Sequence, residues 1–210
     1  MRTVYERLLA AYGPQHWWPG ETPFEVMVGA VLTQNTAWRN VERAIANLVG
    51  ADVLEPARIA GLPAAELAAL IRPAGYFNVK ARRLQAFCRF VVDAGGVEAL
   101  ARLPTPVLRH RLLAVHGVGP ETADDILLYA FGRPVFVVDA YTRRLFARLG
   151  LARGDEDYEA LRAGVERAFG ADAALFNELH GLIVQHAKAA CAKVPRCAGC
   201  CLRRRCPASS

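Results

Sequence analysis

Apolar residues recur at helical spacing along almost all of this chain, in runs cut apart by Gly and Pro. Residues 24–49 carry the pattern with a break near 33–36, and shorter runs follow at 63–71, 80–93 and 97–103. Thr105 before Pro106 reads as a helix start, a capping side chain ahead of a proline at the first helical position, and predicts a helix over 106–115. A second helix is expected over 120–131. Asp139 heads another, 140–149, stopped by Gly150, and 158–169 and 173–190 complete the set. The one β-branched run, 135–138, is too short and solitary to build a sheet. The fold class is therefore all-α, and 210 residues suffice for a full core, as one domain or two small lobes.

Four cysteines near the C-terminus, Cys191, Cys197, Cys200 and Cys206, are spaced C-x5-C-x2-C-x5-C. Thiolates converging from so short a segment suit an iron–sulfur cube, which takes one protein sulfur per iron. Zinc is the rival, but structural zinc sites usually show two close cysteine pairs, and only Cys197 and Cys200 are close. Disulfides are the third option. The first twenty residues hold no long apolar run of the kind a secretory leader needs, so an oxidising compartment is not expected. Cys201 and Cys88 fall outside the pattern, Cys88 reading as a buried thiol in an apolar helix.

The formal charge of +6 favours a polyanionic partner, although charge alone does not separate nucleic acid from a membrane surface. No apolar stretch reaches transmembrane length. The expectation is a soluble cytoplasmic protein without a membrane partner.

Between the helices expected at 106–115 and 120–131 lies His116-Gly117-Val118-Gly119. Two glycines flanking Val118 let the backbone turn sharply and bare its N–H groups beside a helix N-terminus, an arrangement that binds phosphate. Thr122 and Ala123 then supply small residues where the two helices must approach closely. An ordinary helix–turn–helix corner would look the same taken alone.

The stretch LLAVHGVGPETADDILLYAFGRPVFVVDAYTRRL (112–145) resembles the helix-hairpin-helix and following Gly/Pro-Asp segment of the endonuclease III superfamily of DNA glycosylases. The cysteine tail resembles that family's [4Fe–4S] loop, one residue shorter in its first gap than the commonest spacing. PFEVMVGAVLTQNTAW (23–38) and GYFNVKARRL (75–84) are similar to its early barrel helix and its Gly-aromatic-Asn-x-Lys-Ala stretch. The resemblance implies a six-helix barrel lobe over 24–133 that bears the hairpin, and a helical cluster lobe made of 1–23 with 134–210. Double-stranded DNA would lie in the cleft between them. It also implies a bacterial-type, nucleoid-associated monomer that flips a damaged base out of duplex DNA and cuts its N-glycosidic bond.

Asp139 is then the expected catalytic carboxylate, stabilising positive charge on the sugar and orienting water; a helix-capping role is compatible with this. Members that also cut the DNA backbone carry a lysine two residues after the second hairpin glycine, and here that position is Glu121. A carboxylate forms no imine, so strand-cleaving lyase activity is expected to be weak or absent. Glu121 would contact the flipped base or a water, or else be a solvated first-turn glutamate. Trp17 and Trp18, in HWWP, and Trp38, after Gln34-Asn35-Thr36, resemble the 3-methyladenine glycosylase branch, which also has glutamate for the lysine. Their rings would stack on a cationic alkylated purine, or pack the core. Gln34 matches the position that fills the gap left by the flipped nucleotide, or caps a helix end. Phosphate contacts are expected from the hairpin (Gly117, Val118, Gly119, Thr122), from Lys80, Arg82 and Arg83, and around the cysteines from Lys193, Arg196, Arg203, Arg204 and Arg205. The alternatives are an oxidised-pyrimidine glycosylase and a catalytically silent lesion-binding module. Asp139 argues against the latter.

Overall fold

The computed structural model describes residues 1–209. Twelve α-helices occur among them: α1 (Arg2–Tyr12), α2 (Pro23–Leu32), α3 (Trp38–Gly50), α4 (Pro56–Gly61), α5 (Ala64–Leu70), α6 (Phe77–Asp93), α7 (Val97–Ala101), α8 (Thr105–Leu113), α9 (Pro120–Asp125), α10 (Ala140–Arg148), α11 (Tyr158–Phe169) and α12 (Ala173–Ala189). No strand forms among the described residues, and no helix is long and apolar enough to cross a membrane. The chain divides into two compact units, Gly20–Phe131 and a discontinuous one of Met1–Pro19 with Gly132–Ser210.

In the unit Gly20–Phe131 the centre is α2. Phe24 and every residue from Val26 to Leu32 are buried, as befits a helix apolar on all sides. Thr22 caps it by accepting the Glu25 amide at 3.1 Å, with Pro23 in the first turn. Helix α9 runs on into widened π-helical turns over Ile126–Ala130, which pack against α2. Three helices depart from expectation. Helices α1 and α4 are additional, and α8 opens at Thr105 itself behind Pro104, without a Thr105 cap bond. Pro104, in extended backbone, already directs the chain into the helix.

Lys80, on α6, is 2% exposed. Its ammonium donates to Leu32 O at 2.9 Å and Ala74 O at 2.7 Å, tying the end of α2 to the short 3-10 turn Arg72–Ala74. A burial this deep is tolerable because the charge is spent on carbonyls that lack helical partners.

The other unit is built on α12, which buries Phe176, Leu179, Leu182, Ile183, Val184 and Ala187 and packs against α1 and α10. The β-branched run Val135, Val137 and Val138, with Phe136, is buried as an extended core insert. Its amides find side chains instead of a sheet: Phe136 N–H donates to Glu166 Oε1 at 3.0 Å and Val138 N–H to Tyr158 Oη at 3.4 Å, both on α11. This insert delivers Asp139 to the head of α10.

Replacing Lys80 by Met leaves two buried carbonyls unbonded and should cost roughly 2–4 kcal/mol of stability. Burial, then Arg83, pushes the Lys80 ammonium down to about 8. Above that pH the folded protein has released a proton that the unfolded chain keeps until about pH 10.4, so the Lys80 contribution to stability rises across the interval. The stability gap between wild type and Lys80→Met, read by chemical denaturation, should widen from about pH 8 to about pH 10. A narrowing gap would contradict this account.

Candidate functional site

Asp139 is 8% exposed and caps α10, its Oδ1 accepting the Thr142 amide at 2.7 Å. Its Oδ2 lies 3.5 Å from His180 Nε2, on α12. Burial alone would raise this carboxyl, but the facing His180 and the Thr142 amide outweigh it and hold Asp139 below its ordinary range. The result is a buried carboxylate kept ionised and fixed in direction, suited to stabilising positive charge that develops on a sugar. His180 is a partner that sequence reasoning missed; as one of two histidines in the apolar run of α12 it gives no signal beyond its identity.

The far end of α10 grips the cysteine segment. Arg144 Nε donates to Cys191 O at 2.9 Å, and Arg148 donates to Ala192 O at 2.7 Å and Lys193 O at 2.9 Å. One Arg148 nitrogen is 3.2 Å from Cys191 Sγ, and Cys206 Sγ is 3.4 Å from Arg148 O. Cys191, Cys197, Cys200 and Cys206 all line one cavity, walled by Leu145, Leu149, Leu202 and His186. All six cysteines are free thiols. No three Cys, His, Asp or Glu side chains among the described residues are gathered tightly enough for a single ion. Zinc would draw each sulfur to about 2.3 Å, whereas a cube spreads its four ligands over a larger tetrahedron. Burial, then Cys191, Cys197 and Cys206, push the Cys200 thiol up. Burial pushes Cys88 to about 12 and His186 down to about 4, so both are neutral at neutral pH.

Lys193, Arg203, Arg204 and Arg205 are exposed around this loop, as is Arg196, although Arg196 also donates to Lys188 O at 2.8 Å. Trp17 rests against Gly181, where an added Cβ would fall 2.9 Å from Trp17 Cβ, and the Lys188 ammonium sits 5.5 Å from its ring centre. Trp17 and Trp18 meet edge to face at 6.3 Å.

In the other unit the hairpin is tied to Gln34. The Gln34 amide donates to Gly117 O at 3.1 Å and Thr122 Oγ1 at 3.0 Å, while Arg83 donates to Gln34 Oε1. Gly117 has φ +89° and Gly119 an extended φ of −93°. Val118 and Thr122 are buried, and Glu121 is exposed in the first turn of α9. Arg109 clasps Asp124 through two bonds, 2.7 and 3.0 Å, joining the two hairpin helices. Trp38 is half-buried at the start of α3, its indole donating to Glu42 at 2.8 Å. Lys80 corrects the expected phosphate contacts: its ammonium is buried on two carbonyls, while Arg82 is exposed.

The two hairpin glycines should differ sharply. A Cβ at Gly117 would lie 2.3 Å from Arg83 Cγ in a left-handed backbone, whereas at Gly119 nothing lies within 4 Å. Gly117→Ala should cost about 1–3 kcal/mol and Gly119→Ala less than about 0.5 kcal/mol, read by urea denaturation. Equal losses would contradict the geometry.

Residues 28–170 match the model of the HhH-GPD superfamily base excision DNA repair proteins. A provisionally named DNA repair glycosylase of Methanocaldococcus jannaschii is 47% identical over 206 residues, 97% of this chain and 94% of that protein. Among solved structures, a 3-methyladenine DNA glycosylase of H. pylori bound to 1,N6-ethenoadenine shares 31% identity at a TM-score of 0.75, covering 89% of this chain and 96% of that one. An endonuclease III–DNA complex superposes with a TM-score of 0.86 over 99% of this chain and 94% of that one, at 24% identity, a likeness of fold. The chain belongs to the helix-hairpin-helix (HhH-GPD) superfamily of base excision repair DNA glycosylases.

Proposed function

We propose that this protein is a monofunctional DNA glycosylase that removes alkylated purines from double-stranded DNA, acting as a cytoplasmic monomer with a [4Fe–4S] cluster. The observation that carries the reading is Asp139, a buried carboxylate held ionised at a helix N-terminus by His180 and the Thr142 amide. As the N-glycosidic bond stretches, positive charge builds on the sugar, and a fixed carboxylate stabilises it without reorganising. The same carboxylate orients the attacking water. An alkylated purine already carries positive charge and departs neutral, so the site needs no strong acid for the leaving group. The ethenoadenine-bound relative supports a modified purine as substrate.

Glu121, where strand-cutting relatives carry lysine, supports hydrolysis without an imine. Its exposed carboxylate is placed in this reading against the flipped base or a water. Trp17, Trp18 and Trp38 offer stacking faces for a cationic base. Gln34 would have to leave its bonds to Gly117, Thr122 and Arg83 to fill the gap left by the flipped nucleotide. The backbone amides of Gly117 and Gly119, with Lys193 and Arg196, take phosphates, the Val118 amide being already bonded to Val115 O. The donor set Cys191, Cys197, Cys200 and Cys206 fits a cluster, which when bound would cross-link a loop too short to fold alone.

The test is excision from a panel of duplexes carrying alkylated purines or oxidised pyrimidines, with strand scission compared before and after alkali. Wild type should release alkylated purines, cut the strand only after alkali and give no borohydride-trapped complex. Asp139→Asn keeps the helix cap but loses the charge, and should excise at least about 100-fold more slowly with lesion-DNA binding retained. Excision at the parental rate would remove Asp139 from the mechanism, and efficient trapping would remove the monofunctional assignment. Release of oxidised pyrimidines alone would place the activity with endonuclease III-type glycosylases.

A further inference from the structure

Behind the cysteine cavity a histidine sits between a phenol and a sulfur. His186, on α12, is 1% exposed. Its Nδ1 is 2.8 Å from Tyr12 Oη, at the end of α1, and its Nε2 is 3.7 Å from Cys200 Sγ. Helices α1 and α12 pack together, so Tyr12 and His186 are held by two helices, while Cys200 is brought to them by the cysteine loop.

A neutral imidazole has one N–H, and its position follows from the partners of the two nitrogens. A cysteine sulfur that ligates metal is a thiolate and can only accept. Nε2 must then carry the proton and point it at Cys200, Nδ1 is left bare, and Tyr12 must donate to it. With Cys200 protonated the opposite arrangement becomes available, its thiol donating to Nε2 and Nδ1 donating to Tyr12, whose hydroxyl also has the Cys201 thiol as a partner. Ligation of Cys200 therefore selects one direction for the whole chain of hydrogen bonds.

We propose that Tyr12, His186 and Cys200 form a directed hydrogen-bond relay in which His186 is a positioning residue that holds the Cys200 thiolate as a cluster ligand and tunes the cluster's potential. The proposal rests on the cluster reading above. An N–H aimed at a ligand sulfur withdraws charge from it, which favours the reduced cluster and slows loss of that ligand. Arg148 also approaches a ligand sulfur, that of Cys191, but it holds two backbone carbonyls as well, so its removal would disturb the loop. The imidazole separates the electronic effect from the scaffold.

The test uses the intact, anaerobically purified holoprotein, with iron content measured and the cluster potential read by protein-film voltammetry. His186→Leu should lower the potential and release iron to a ferrous chelator roughly 10-fold faster. His186→Gln, whose amide places an N–H near the former Nε2, should recover most of both. Tyr12→Phe, losing one oxygen, should shift both readouts in the same direction by less. An unchanged potential in folded His186→Leu would overturn the relay, as would identical values for the Leu and Gln variants. If His186→Leu does not fold, Tyr12→Phe decides, and wild-type values in both readouts overturn the proposal. A wild type holding stoichiometric zinc or no metal overturns the cluster reading and the relay together. Four irons per chain with an indifferent potential overturns the relay alone.

Discussion

The bond from the Thr142 amide to Asp139 Oδ1 is the one on which the functional reading depends. It starts α10, aims the carboxylate and, with His180 facing the other oxygen, keeps it charged in a buried place where a lone carboxyl would take a proton. The same nine-residue helix ends in Arg148, whose guanidinium organises the cysteine segment through two carbonyls and a sulfur. One short element thus positions both the buried carboxylate and the cysteine loop, with α12 behind it supplying His180 to the first and His186 to the second.

The hairpin unit follows a different logic. Its tight turn is held by polar side chains bonded within the fold: Gln34 bonds Gly117 and Thr122, Arg83 bonds Gln34, and Arg109 clasps Asp124. Gly117 is needed because Arg83 occupies the space of a side chain, and Lys80 secures the end of α2, from which the Gln34 turn departs. Such cross-bonding fixes the backbone, and the Val118 amide is itself taken by Val115 O at 3.0 Å.

Where local chemistry decided the outcome, the sequence was a good guide. Asp139 before an apolar run stopped by Gly150 reads as a cap, and it is one. The lone run at 135–138 reads as no sheet, and none forms among the described residues; the Phe136 and Val138 amides go to Glu166 and Tyr158. Long-range partners were invisible. Lys80 looks like one cation in a basic stretch, yet a carbonyl 48 residues away makes it a buried donor. His180 and His186 read as isolated histidines in an apolar helix until Asp139, Tyr12 and Cys200 are brought to them. Helix α1 buries only Val4 and Leu8, too sparse a stripe for periodicity to register, and α4 is a single short segment.

The central claim is that His180 keeps Asp139 ionised for catalysis. The most direct measurement is the pH dependence of single-turnover excision from an alkylated-purine duplex, for wild type and His180→Leu. Losing the facing imidazole removes a cause that lowers the Asp139 carboxyl, so the acid limb of the variant should lie at higher pH than that of wild type. Coincident acid limbs in two folded, DNA-binding proteins would contradict the account.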